Sequence, residues 1–116
     1  MEKRVELSLL MDFYGPLLTQ HRREVVRLYC DEDLSLQEIA DQMGISRQGA
    51  HDALKAASAQ LTRFETILGL ADRYQKIGRE IKRCRALLGS VSIEGESGQA
   101  LREAMAALDR IDGLER

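Results

Sequence analysis

An all-α fold is what this 116-residue sequence predicts. Three observations carry the expectation. One proline and no tryptophan stand against many leucines, alanines, glutamates, arginines and glutamines, residues that wind into helices at little cost. Apolar residues recur at steps of three and four along most of the chain, the period of a helix with one packed face. Residues 34–55, LSLQEIADQMGISRQGAHDALK, set two helix caps, small residues and a glycine at the offsets that two short-linked helices require.

In chain order, residues 2–14 carry Val5, Leu9, Leu10 and Phe13 on one side of a first helix, which Gly15-Pro16 ends. Thr19 caps a second helix running to about Cys30, with Val25, Val26, Leu28 and Tyr29 available for packing. The acidic run Asp31-Glu32-Asp33 is a connection. Ser35 and Glu38 form a capping box, so a third helix begins at Leu36. On it Ile39 and Met43 face inward, and Ala40 is small enough for close helix approach. Gly44 supplies the left-handed residue that stops this helix, Ile45 plugs the turn, and Ser46 caps a fourth helix from Arg47. Ala50, Ala53, Leu54 and Ala57 face inward, which leaves Arg47, Gln48, His51, Asp52 and Lys55 together outside. That is the layout of a helix-turn-helix unit with its recognition helix.

No breaker follows until Gly69, so the recognition helix continues to about Leu68 through Leu61 and Phe64. Leu70, Tyr74, Ile77, Ile81, Cys84 and Leu88 then make a heptad-like stripe on a further helix. Such a stripe packs within the subunit or against a second copy, and the small size of the chain favours a homodimer. Residues 89–98, rich in glycine and serine, read as a flexible linker. Beyond them Leu101, Ala104, Met105, Leu108 and Ile111 mark a short amphipathic helix. The expected organisation is a helix-turn-helix domain over 1–68, an amphipathic basic helix over 69–89 that serves dimerisation, and a linker with a short C-terminal helix over 90–116.

Net charge is −2, which argues against strong unspecific binding of a polyanion over the whole surface. Residues 69–89 nevertheless carry six basic and two acidic groups, and Lys76, Arg79, Lys82 and Arg83 lie mainly off the apolar stripe. These four are either a solvated face or a contact for phosphates or an acidic protein. Residues 90–116 balance at −3, so the tail has the charge to dock on that helix.

Cys30 and Cys84 are isolated and are expected to be reduced, partly buried thiols. His21 and His51 have no nucleophile or carboxylate arrangement beside them. The sequence holds no catalytic constellation, phosphate-cradling glycine loop, cofactor motif or metal motif, and an enzyme is not expected. There is no apolar run long enough to span a bilayer and no signal-peptide core, so a cytoplasmic protein is expected.

The segment MDFYGPLLTQHRREVVRLYCDEDLSLQEIADQMGISRQGAHDALK resembles the YlxM family of bacterial helix-turn-helix proteins, over roughly residues 3–88. The opening MDFYGPLLT, the DLSLQEIA stretch and SRQGAHDALK carry most of the likeness. The chain is also similar to region 4 of sigma factors, with residues 19–29 and 34–55 as the two parts of a promoter-reading unit. The resemblance implies a helical dimer and a regulatory role in the signal recognition particle pathway. Gly49, Ala50 and His51 depart from the alanine, valine and tyrosine more usual there, and Gly49 costs about 1 kcal/mol of helix propensity relative to alanine.

Two functional readings stay open. In one, a regulator binds DNA or RNA: Arg47, Gln48, His51 and Lys55 touch bases or phosphates, and Arg22 and Arg23 supply positioning contacts. In the other, the chain is an interaction protein that meets signal recognition particle RNA or its GTPase through Lys76, Arg79, Lys82 and Arg83.

Overall fold

Every cap expected between Thr19 and Ser46 forms. The computed structural model describes residues 3–91 and 94–114. Helix α1 (Lys3–Tyr14) ends in a single 3-10 turn over Gly15–Leu17, and α2 (Gln20–Cys30) follows. Thr19 Oγ1 accepts the Arg22 N–H at 3.3 Å at the start of α2. Helix α3 (Leu36–Met43) opens with the capping box: Ser35 Oγ accepts the Glu38 N–H at 3.1 Å, and Glu38 Oε1 accepts the Ser35 N–H at 2.9 Å. Gly44 closes it at φ +68°, where a side chain would be strained. Helix α4 (Arg47–Leu68) starts on Ser46, whose hydroxyl accepts the Gly49 N–H at 2.9 Å. A Cβ at position 49 would stand 3.1 Å from that hydroxyl, so the glycine leaves the cap uncrowded.

Contacts divide the chain into two compact units, Met1–Ala71 and Asp72–Arg116. In the first, α4 is the axis against which α1, α2 and α3 all pack, and α2 also touches α1 and α3. The inward residues merge into one cluster that includes Leu7, Val25, Val26, Leu28, Ile39 and Leu61. Burying one such side chain contributes about 1.5–3 kcal/mol. Small residues decide how closely the helices approach: Ala40, Ala50 and Ala57 are all buried within the cluster.

Tyr14 is fully buried and holds the far end of α4. Its ring lies 5.9 Å from that of Phe64, centroid to centroid. Its hydroxyl donates to Glu65 Oε1 at 2.6 Å and accepts the Leu70 N–H at 2.9 Å. The Ala71 N–H donates to the same carboxylate oxygen at 3.0 Å. Burial, then the Glu65 carboxylate, push the phenol above its usual pKa. Between the two helices Gly69 takes φ +64°, so α5 (Leu70–Gly89) is a new helix, not a continuation.

The second unit holds the rest of α5 and α6 (Gly95–Leu114). Here the sequence expectation needs correction. The segment 89–98 is not a linker throughout: α5 runs through Gly89, and α6 already begins at Gly95 and extends over 20 residues. The helix-forming run from Gln99 to Leu108 carries the helix back through Ser97 and Gly98, and Gly98 is buried. Arg85 of α5 ties to Asp109 of α6 at 2.6 Å, with Asp112 at 4.0 Å.

The stripe expected at a dimer interface is partly covered within the single chain. Ile81 is buried, Tyr74, Ile77 and Leu88 are half-buried, and Leu70 is exposed. The cysteines also differ from each other. Cys30 is half-buried and desolvation pushes its thiol up to about 11, whereas Cys84 is exposed, contrary to expectation. Among the described residues no helix is long and apolar enough to cross a membrane.

Candidate nucleic-acid interface

The outer face of α4 is built by subtraction. At 3.6 residues per turn, Arg47, Gln48, His51, Asp52 and Lys55 fall within an arc of about 140°. All five are exposed, while Ala50, Ala53, Leu54 and Ala57 fill the opposite arc and are buried. The packed side thus aims the polar side. The turn cannot drift, because Ser46 and Gly44 fix both ends and the Ile45 N–H donates to the Ala40 carbonyl at 3.0 Å.

Of the residues expected to make contacts, Arg47, Gln48, His51 and Lys55 come together on this face. Arg22 and Arg23 do not join them as uncommitted groups. Arg22 Nη1 donates to Gln60 Oε1 of α4 at 2.9 Å. Arg23 donates to the carbonyls of Gly15, Pro16 and Leu18 at 3.2–3.3 Å. Arg23 thus meets carbonyls at the 3-10 turn and Arg22 meets a side-chain amide on α4, acceptors that a guanidinium with five N–H donors can engage. Their roles in this arrangement are internal struts.

Arg4 was missed by sequence reasoning. From α1 its guanidinium donates to the Tyr29 carbonyl at 2.9 Å and the Leu34 carbonyl at 3.1 Å. It also pairs with Asp33 at 3.1 Å and lies 4.0 Å above the Tyr29 ring. Asp33 adopts φ +54°, a left-handed conformation that aspartate tolerates better than most residues. One side chain therefore holds the loop that delivers α3. Nothing local in the sequence marks it, since its partners lie 25 and 30 residues away.

The electrostatics of the unit are unusual for a polyanion reader. Between residues 34 and 55 two basic side chains, Arg47 and Lys55, face three acidic ones, Glu38, Asp41 and Asp52. Glu38 is used in its cap, where the Ser35 N–H, then its hydroxyl, holds the carboxyl below its ordinary value. Asp41 and Asp52 instead accept from glutamines one turn earlier, Gln37 and Gln48, each at 2.9 Å.

The four basic residues of α5 are dispersed in role. Lys76 pairs with Asp72 at 2.8 Å. Arg79 and Lys82 line a groove of about 350 Å³ with Tyr74, Gln75, Gly78 and Asp112. Arg83 is exposed. Among the described residues no group of histidine, cysteine or carboxylate side chains is arranged to hold a metal ion.

A capped core of four helices, with α4 presented beyond a glycine turn, defines a helix-turn-helix protein. Residues 1–87 match the family model UPF0122, helix-turn-helix proteins of the YlxM/p13-like kind. The chain belongs to the UPF0122 family. It is similar to a UPF0122 protein of Desulforamulus reducens, 36% identical over 96% of this chain and 94% of the relative. A Bacillus mycoides relative is 34% identical over 97% and 99%, and one from Clostridium botulinum is 49% identical over 63% and 67%. The first two alignments extend past the expected limit near residue 88 and take in the tail. The family is of a non-enzyme kind.

Proposed function

We propose that this chain is a cytoplasmic, non-enzymatic regulator that binds nucleic acid through the outer face of α4. The observation that carries the reading is the joint exposure of Arg47, Gln48, His51 and Lys55 on a helix whose other side is locked into the core. The first turn of such a helix meets base edges, and a later lysine meets phosphate. Because residues 34–55 carry two basic and three acidic groups, a net charge of −1, binding depends on a few contacts and weakens as salt rises. Fluorescence anisotropy with a duplex library at low and physiological salt tests this. Gln48→Ala relaxes sequence preference, whereas Lys55→Ala weakens all duplexes alike. No duplex binding at low salt removes the reading.

A second reading is supported by the +4 balance of residues 69–89 and by the groove beside Arg79 and Lys82. In it α5 contacts signal recognition particle RNA or its GTPase, and the protein regulates that pathway. Neutralising Arg79, Lys82 and Arg83 then lowers affinity for particle RNA more than changes at Arg47 or Gln48 do. Lys76 matters less, being paired with Asp72. The chain in this reading works as a homodimer that buries Leu70 with the exposed parts of the α5 stripe. Light scattering at tens of micromolar tests the dimer, and a monodisperse monomer rejects it.

A further inference from the structure

The side chains on the outer face of α4 are coupled to one another. Gln48 Nε2 donates to Asp52 Oδ1 at 2.9 Å, and His51 Nδ1 lies 3.4 Å from the same oxygen. The Asp52 side chain is 65% exposed, so neither packing nor capping demands an acid there. For a helix that meets phosphates the charge is a liability, because it repels the backbone that most contacts engage. Its benefit must lie in what it does to its neighbours.

Resting on the nucleic-acid reading above, we propose that Asp52 is a positioning residue that makes Gln48 select adenine. A primary amide carries two N–H donors and one acceptor oxygen. Asp52 engages the nitrogen and so fixes which end of the amide is which. Gln48 keeps one N–H and an Oε1 that has no partner among the described residues. That remaining pair complements adenine, which shows an acceptor at N7 and a donor at N6. Guanine shows two acceptors, N7 and O6, and satisfying both from Gln48 would take the N–H that Asp52 holds. The carboxylate also repels those acceptors and the O4 of thymine.

The molecule contains its own control. Gln37 and Asp41 on α3 repeat the same spacing and the same 2.9 Å hydrogen bond. In helix-turn-helix docking the first helix crosses the backbone and only the second reads base edges. Both aspartates therefore repel phosphate, but only Asp52 sets a preference.

The test is an unbiased selection of duplex sites with the full chain, D52N, D52E, D41N and Q48A, with thermal melts alongside. All three positions are exposed, and unchanged melts are expected. The unaltered chain and D52E, which keeps an acceptor-only carboxylate one turn on, enrich adenine at one position, whereas asparagine can donate as well as accept and no longer fixes which end of the Gln48 amide is which. D52N and Q48A lose that enrichment, which amounts to roughly the 5- to 150-fold discrimination of a bidentate base contact. Removing a charge makes D52N and D41N bind all duplexes more tightly, yet D41N retains the adenine. Adenine enrichment that survives in D52N overturns the proposal and leaves the nucleic-acid reading intact. A cytosine preference lost in D52N but kept in Q48A makes Asp52 itself the reader and likewise overturns it. Failure of the unaltered chain to bind any duplex removes both.

Discussion

The two compact units are stabilised in different ways. In the first, thirteen hydrophobic residues form one buried cluster, and polar groups at the helix ends are satisfied by caps. In the second, Ile81 is the buried hydrophobic residue among those described, and a solvent-facing ion pair between the half-buried Arg85 and the exposed Asp109 ties the helices. Apolar burial is cooperative and insensitive to salt, whereas exposed ion pairs are weak and screened. The contrast teaches that the first unit is built to hold a fixed surface, and that the second has stability to gain from a partner.

The largest effect that can break this comparison is a cavity in the first unit. Ile39→Ala empties a fully buried position and is expected to cost about 2–5 kcal/mol, read as a lower urea midpoint. A cost near zero would mean that the cluster does not dominate. Next is Tyr14→Phe, which leaves Glu65 Oε1 and the Leu70 N–H without the hydroxyl. It is expected to cost about 1–3 kcal/mol and to speed amide exchange at Leu70 and Ala71. An unchanged exchange rate there would show that the hydroxyl does not hold the junction.

Acid sharpens the comparison further. Glu38 in its capping box, and Glu24 beside Arg27, both sit below their ordinary value of 4.5 in the fold. A depressed carboxyl stabilises above its unfolded value and loses that contribution as pH falls through the folded one. Stability of the first unit is therefore expected to decline below about pH 5, and Glu38→Gln should flatten part of the decline. An identical pH profile for Glu38→Gln would exclude the box as a contributor. The smallest effect is expected from Asp109→Asn, about 0.2–1 kcal/mol, confined to exchange rates in α6 and diminished by salt. A shift in the melting of the first unit would show that the two units are not stabilised separately.

Most of the first unit was legible because its determinants are local. Thr19, Ser35, Glu38, Gly44 and Ser46 act within three or four residues of themselves, so spacing alone reveals them. The face bearing Arg47, Gln48, His51 and Lys55 followed from the same periodicity. What escaped was polar side-chain chemistry beyond the reach of a single helical turn, from five to 56 residues away. Arg4, Arg22, Arg23 and Tyr14 look like ordinary surface or core residues until the fold brings carbonyls, an amide and a carboxylate to them. The C-terminal segment misled for another reason: glycine and serine weaken a helix start, but they do not stop a strong helix-forming run behind them.

The hydroxyl of Tyr14 also imposes an order in time. It reaches the Leu70 N–H across 56 residues of sequence. The first turn of any helix is its costly step, because several residues are fixed before hydrogen bonds accumulate. Here that step is eased by a template: Tyr14 and Glu65 catch the first two amides of α5 once α1 and α4 are together. A ribosome emits α1 long before Leu70, so the finished N-terminal unit becomes the seed from which α5 winds.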